Sequence, residues 1–217
     1  MKSESRSRID AMLYLASTMP RVRTTLDRFD AQHNLINTRN STVDLTTGET
    51  LPFSESHFIT KSIPVDFDKF AACPMFGKFM DTITMGRPEL AAFIQRAAGY
   101  SISGDTSEQC MFILHGNSSN GKSTMVNVFR QILGKDYAQE IKPEVFLESK
   151  NDNNSEYHLA ELPGKRFVAM SETSKRKQLK IARIKQVTGG EPIVARRPYE
   201  LPFEFTPTFK IWLSTNH

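Results

Sequence analysis

The segment GNSSNGKST, from Gly116 to Thr124, constrains this 217-residue chain more than any other stretch. It fits the pattern G-x-x-x-x-G-K-[S/T], whose spacing suits a chain of phosphates. Gly116 and Gly121 let the backbone curl, so that the N–H groups of Asn117, Ser118, Ser119 and Asn120 between them face an anion. Lys122 reaches the β- and γ-phosphates in such a loop, and Ser123 offers its hydroxyl to Mg²⁺. A helix starting near Gly121 turns its positive end toward the same anion. The flanks supply the required context. CMFILHG (110–116) is an apolar run of strand length, and TMVNVFRQIL (124–133) has helical periodicity. A Gly/Ser/Asn surface turn, the plain alternative, has no need of that context. ATP with Mg²⁺ is the expected ligand.

Downstream, apolar runs alternate with helical patterns. Strands are expected at 166–171, 191–195, 201–205 and 209–215, with helices at 154–162 and 177–187. Alternation of this kind implies a parallel sheet in a three-layered α/β fold. The polar run 149–156 reads as a surface loop. Residues 1–105 look different, a mostly helical lead-in to a core spanning 106–217. Ile9, Met12, Leu13 and Ala16 fall at helical spacing, with Pro20 ending the helix. VDFDKFAA (65–72), PMFGKFMDTIT (74–84) and PELAAFIQRAAGY (88–100) are expected helices. Their Phe67, Phe70, Phe76, Phe79, Phe93 and Ile94 would form a small helical core. Between them, Val43–Leu45 reads as a short strand and Thr47–Gly48 as a turn.

Composition excludes some classes. No apolar run approaches the roughly 18–20 residues of a membrane-spanning helix, and no secretory signal follows MKSESRSRID, so a cytoplasmic protein is expected. Cys73 and Cys110, the two cysteines, show no metal-ligand spacing and read as reduced, half-buried hydrophobes. The net charge of +4 permits a nucleic-acid partner without requiring one. Its distribution says more, because KRKQLKIARIK (175–185) and Arg196–Arg197 concentrate it near the end of the chain.

An ATPase of this type needs an acid beyond another core strand. Glu172, directly after RFVAMS, is the candidate for general base and for a water-mediated link to Mg²⁺. Asn216, at the end of FKIWLSTNH, is a candidate to hydrogen-bond the γ-phosphate or the attacking water. EPIVA and LPFEF read as a hairpin whose connection RRPYE carries Arg196, Arg197 and Tyr199. Arginines pair with backbone phosphates and an aromatic ring stacks on bases, which suits single-stranded DNA. Lys185 would support that surface, whereas Lys175–Lys177 read as a solvated face.

Taken together, GNSSNGKST, GKRFVAMSET and IKQVTGGEPIVARRPYELPFEFTPTFKIWLSTNH resemble the superfamily 3 helicase domain of phage and plasmid primase-helicases, with a related version in poxvirus-type proteins. The segments from LINTRNS to GYSISGDTSEQ are similar to the lead-in domain of those proteins, so the resemblance runs from about residue 30 to 217. It implies an AAA+-like ATPase that assembles as a ring, usually a hexamer, and moves 3′–5′ on single-stranded DNA in phage or plasmid replication. Gly116, Gly121, Lys122 and Ser123 match Walker A, Glu172 the acid of Walker B, and Asn216 the sensor-1 asparagine of motif C. TGGEPIVARR (188–197) matches the motif whose hairpin projects into the channel of the ring.

Two departures qualify the resemblance. Ser171 stands before Glu172 where many relatives place a second acid. The sequence also stops one residue after Asn216, before the family's place for an arginine finger, and carries no primase domain. A fragment or a truncated product is expected on that ground, with ATP binding ahead of fast hydrolysis. The alternative function is a catalytically impaired remnant that serves as a DNA-binding or interaction module. A metabolic P-loop kinase is disfavoured, because it has no use for the basic hairpin.

Overall fold

A computed structural model describes residues 5–20, 22–148, 155–171 and 178–216. Helix α1 spans Arg6–Thr18 and stops before Pro20, but it buries none of its residues. Met12, Leu13, Tyr14 and Leu15 are all more than half exposed. The apolar residues lie on several sides of the helix, so they make no single face that could pack.

Beside its helices, the lead-in region holds a small sheet that was not expected as such. Strands β1 (Leu35–Asn37), β2 (Thr42–Asp44) and β3 (Thr50–Leu51) form an antiparallel sheet in the order β1-β2-β3. Asp44 shapes the β2–β3 turn, accepting from Thr46 N at 2.8 Å through its carboxylate and from Gly48 N at 2.7 Å through its carbonyl. Helices α2 (Pro74–Ile83) and α3 (Pro88–Ile102) each begin on a proline, whose fixed φ and missing donor suit a first turn. The helix expected at 65–72 does not form. Asn40 satisfies the backbone there instead, donating to the Phe67 carbonyl and accepting from the Phe67 N–H, both at 2.9 Å. Arg39 N also donates to Val65 O at 3.0 Å. Side-chain and loop partners have replaced the helical bonds. Phe70 is consequently 90% exposed, and Phe93 and Cys73 are exposed as well. Phe67, Phe79 and Ile94 do pack against a core.

Four strands make a fully parallel sheet: β4 (Phe112–His115), β5 (Ala138–Glu140), β6 (Phe167–Ser171) and, last in sequence, β9 (Lys210–Thr215). Their order is β4-β9-β6-β5. Alternation along the strands supplies two faces. Val168, Met170, Ile211 and Leu213 join Phe146, Leu159, Leu162 and Val187 in one core. Phe167, Ala169 and Trp212 join Met125, Val126 and Leu133 of α4 (Lys122–Tyr137) in the other. Ile36 and Val43 of the lead-in sheet belong to that second core too, so the lead-in packs onto the same face as α4. Trp212 sits at its centre, 4.7 Å from the Phe112 ring and 5.5 Å from the Phe167 ring.

Between β6 and β9 run α6 (Ile181–Thr188), β7 (Ile193–Ala195) and β8 (Phe203–Phe205); α5 (Ser155–Leu159) precedes β6. The strands expected at 191–195 and 201–205 form the antiparallel hairpin read from EPIVA and LPFEF, a pair outside the parallel sheet. β5 was not foreseen, since AQE has no apolar run to announce it. Of the expected loop 149–156, residues 149–154 lie outside the described ones. Among the described residues, no helix is long and apolar enough to cross a membrane.

Candidate functional site

In a parallel sheet all strands end along one edge, and register decides which tips are neighbours. His115 pairs with Thr215 and Ser171 with Ser214. The loop that leaves β4 at Gly116 therefore starts beside the tip of β9, and β9 lies between that loop and the end of β6. Asn216, the next residue after Thr215, is exposed at this edge. Glu172 lies outside the described residues, as do Lys175–Lys177; Ser171, the residue before Glu172, is exposed at the end of β6.

The loop turns through left-handed backbone at Ser119 (φ 62°) and Gly121 (φ 85°). Gly121 caps α4 without a side chain, and the first helical bond runs from Met125 N to Gly121 O at 2.9 Å. The N–H groups of Lys122, Ser123 and Thr124 precede that bond and concentrate partial positive charge at the helix start. A Cβ on Gly121 would come within 2.5 Å of Ile83 in α2, so glycine is required by packing as well as by φ. At Gly116 a Cβ would meet the Asn120 amide nitrogen at 2.4 Å.

Lys122 folds back into this loop. Its Nζ donates to Gly116 O at 2.6 Å, Asn117 O at 2.8 Å and Asn120 Oδ1 at 2.9 Å. Three acceptors match the three donors of an ammonium group. The charge thus stands inside the curl of the loop, bound to groups that an anion of higher charge would replace. Ser118, Ser123 and Thr124 are exposed around it.

The basic hairpin lies on a separate element. Its seven-residue connection, 196–202, holds Arg196 by a bond from Nε to Glu200 O at 3.2 Å. Arg197 pairs with the Glu200 carboxylate at 3.3 Å and lies over the Phe203 ring at 4.8 Å. Tyr199, at φ 64°, is fully exposed. Lys185 is exposed on α6.

Sequence reasoning missed two buried cations at the opposite edge of the sheet. Arg166 and Lys210 are 5% and 1% exposed. Arg166 donates to Ile102 O and Leu35 O, each at 2.9 Å, and Lys210 Nζ donates to Ser103 O at 2.6 Å and Asp105 O at 2.8 Å. They fasten the end of α3 and the start of β1 to the sheet. A cation within an otherwise apolar strand pattern, FKIWLST, was the available signal.

The fold is thus a mixed α/β structure with a parallel sheet, carrying a glycine loop and helix start at the strand tips. Residues 1–85 match the family described as D5 N terminal like, and residues 114–217 match the family of unknown function DUF5906. L207/L206 of Acanthamoeba polyphaga mimivirus, a candidate helicase by name, is 30% identical over 116 residues, which is 53% of this chain and 12% of that protein. Two apo structures of the NrS-1 C terminal region share the fold. Each has a TM-score of 0.52 over 73% of this chain, at 16% and 15% identity, with 34% and 35% of the other chain covered. The chain therefore spans about an eighth of the viral relative and about a third of the solved ones. Together these matches relate the chain to the D5 N terminal like family, to DUF5906 and, over about half of its length, to a viral protein named as a helicase.

Proposed function

We propose that this chain is the nucleotide-binding core of a superfamily 3 replication helicase, with the three-layered architecture of a P-loop ATPase, binding ATP with Mg²⁺ and acting on single-stranded DNA. One observation carries the reading: the Lys122 ammonium lies within the Gly116–Gly121 curl at the start of α4, beside the tip of β9. The residues fit a triphosphate. Lys122 exchanges its three loop acceptors for β- and γ-phosphate oxygens, and the loop N–H groups with the helix start hold the remaining charge. Ser123, in the first turn, supplies a hydroxyl ligand for the metal. Mg²⁺, when bound, neutralises charge developing on the phosphates.

In this scheme Glu172, the residue after Ser171, takes the proton of the attacking water, and Asn216 orients that water or the γ-phosphate from the next strand tip. Arg196, Arg197 and Tyr199 grip DNA at the hairpin, with Lys185 adding charge. A homo-oligomeric ring, a hexamer in the complete protein, would bring several hairpins to one strand. The setting is the cytoplasm of a cell that carries a phage or plasmid.

ATP binding and turnover, with and without single-stranded DNA, test the proposal. Binding should disappear in Lys122→Ala, while Glu172→Gln should bind and not turn over. Unchanged ATP affinity in Lys122→Ala overturns the site. Binding without turnover in the native chain would make it a non-catalytic DNA-binding module.

A further inference from the structure

Ser214 is 7% exposed, and its hydroxyl has no hydrogen-bond partner among the described residues. Its position gives that orphan a meaning. Leu114, Ser214 and Ser171 form one row across β4, β9 and β6. Side chains alternate along strands, so Ser214 shares the face of Trp212, and Ser171 shares that of Phe167 and Ala169. That is the face covered by Met125 and Val126 in the first turns of α4. Leu114 is two residues before Gly116, so the row crosses the sheet just before the strand tips from which the glycine loop leaves. Two hydroxyl-bearing residues thus stand side by side under the helix start that bears Lys122 and Ser123.

A buried hydroxyl without a partner destabilises a protein. Apolar side chains fill the preceding positions on this face, Trp212 and Ala169, so an alanine at 214 would suit the core of the protein alone. The cost is understandable if the partner arrives with a ligand. Mg²⁺ keeps several of its waters when bound with a nucleotide, and those waters donate hydrogen bonds to protein oxygens.

We infer that Ser214 is a positioning residue whose hydroxyl, with that of Ser171 beside it, holds the hydrated magnesium ion of a magnesium–nucleotide complex. This deepens the proposed nucleotide site and rests on it. Neutral oxygens in this row leave the site with less negative charge than a carboxylate would provide. Nucleotide binding should therefore need a higher Mg²⁺ concentration than in a Ser171→Asp variant.

The test measures the affinity of the full chain for a fluorescent, non-hydrolysable ATP analogue, with Mg²⁺ and with EDTA, alongside thermal melting without nucleotide. Ser214→Ala should weaken binding in Mg²⁺ about threefold to tenfold, the worth of one hydrogen bond, and change binding in EDTA little. The same substitution should raise the nucleotide-free melting temperature, because it removes an unsatisfied buried group. Ser171→Asp should lower the Mg²⁺ concentration at half-saturation. If Ser214→Ala lowers the melting temperature and keeps the full Mg²⁺ enhancement, the hydroxyl is structural and the inference fails. If the native chain binds no analogue, or binds it equally well as Lys122→Ala, the nucleotide site itself is overturned.

Discussion

Lys210 donates its backbone N–H to the carbonyl of Arg166 at 2.9 Å, so two buried cations stand next to each other where β9 and β6 begin. Each is solvated by backbone carbonyls at the α3 end, where the helix dipole is negative. Tyr100 adds its ring 4.6 Å from Lys210, and Tyr137 lies 4.7 Å from Arg166. The lead-in and the sheet are joined by these contacts at one edge, while the candidate site occupies the other.

Lys210 should make stability depend on pH. Burial, and then the Arg166 charge, push its pKa down from 10.5 to about 7, against smaller upward pulls from Asp105 and Cys110. The folded-state value lies below the unfolded one, so folding releases a proton between about pH 7 and 10.5. Stability from this group therefore rises with pH across that window. Urea unfolding from pH 7 to 9 should show a rising component in the native protein that is absent in Lys210→Met.

The Trp212 indole donates to Ser101 Oγ at 2.8 Å, with both residues buried. Ser101→Ala would leave that N–H unpaired in the aromatic centre, at a cost of about 1–3 kcal/mol. A lower urea midpoint with an unchanged m-value would confirm it, and an unchanged midpoint would show that the bond contributes nothing.

Gly121→Ala should impair folding and ligand binding together. The added methyl meets Ile83 at 2.5 Å, and the residue must hold φ 85°. Strain of the backbone alone costs about 1–3 kcal/mol. Melting temperature and analogue binding should both fall, whereas Ser118→Ala, at an exposed loop position, should leave melting unchanged.

At the hairpin, replacing Arg196 and Arg197 with alanine should weaken single-stranded DNA binding and reduce the slope of log K against log salt by about 1.4, the share of two phosphate contacts. Tyr199→Ala should weaken binding by about 1–3 kcal/mol with the slope unchanged, since stacking carries no counterions. An unaltered affinity in both variants would remove the hairpin from the DNA surface.

Several elements were legible because their signals are local. The apolar run at 112–115, the glycine loop and the helix after it follow one another in a single short stretch, and the structure has them in that order. Boundaries of β2, α3, β6 and β9 fall within a few residues of expectation for the same reason. The missing helix at 65–72 was decided by Asn40, about 27 residues away in sequence, through its two bonds to Phe67. The burial of Lys210 was likewise hidden, because the carbonyls that hold its charge belong to residues more than a hundred positions earlier.

Alone, the amino-acid order determined that a strand, a glycine turn and a helix succeed one another around Lys122, and that a basic hairpin follows. Those outcomes depend on backbone freedom and side-chain periodicity over a few residues. Only the tertiary structure decided that β9 lies between β4 and β6, which brings Asn216 beside the loop and Ser214 between Leu114 and Ser171. Strand order depends on which apolar faces find each other across the whole chain, and no local pattern encodes that choice.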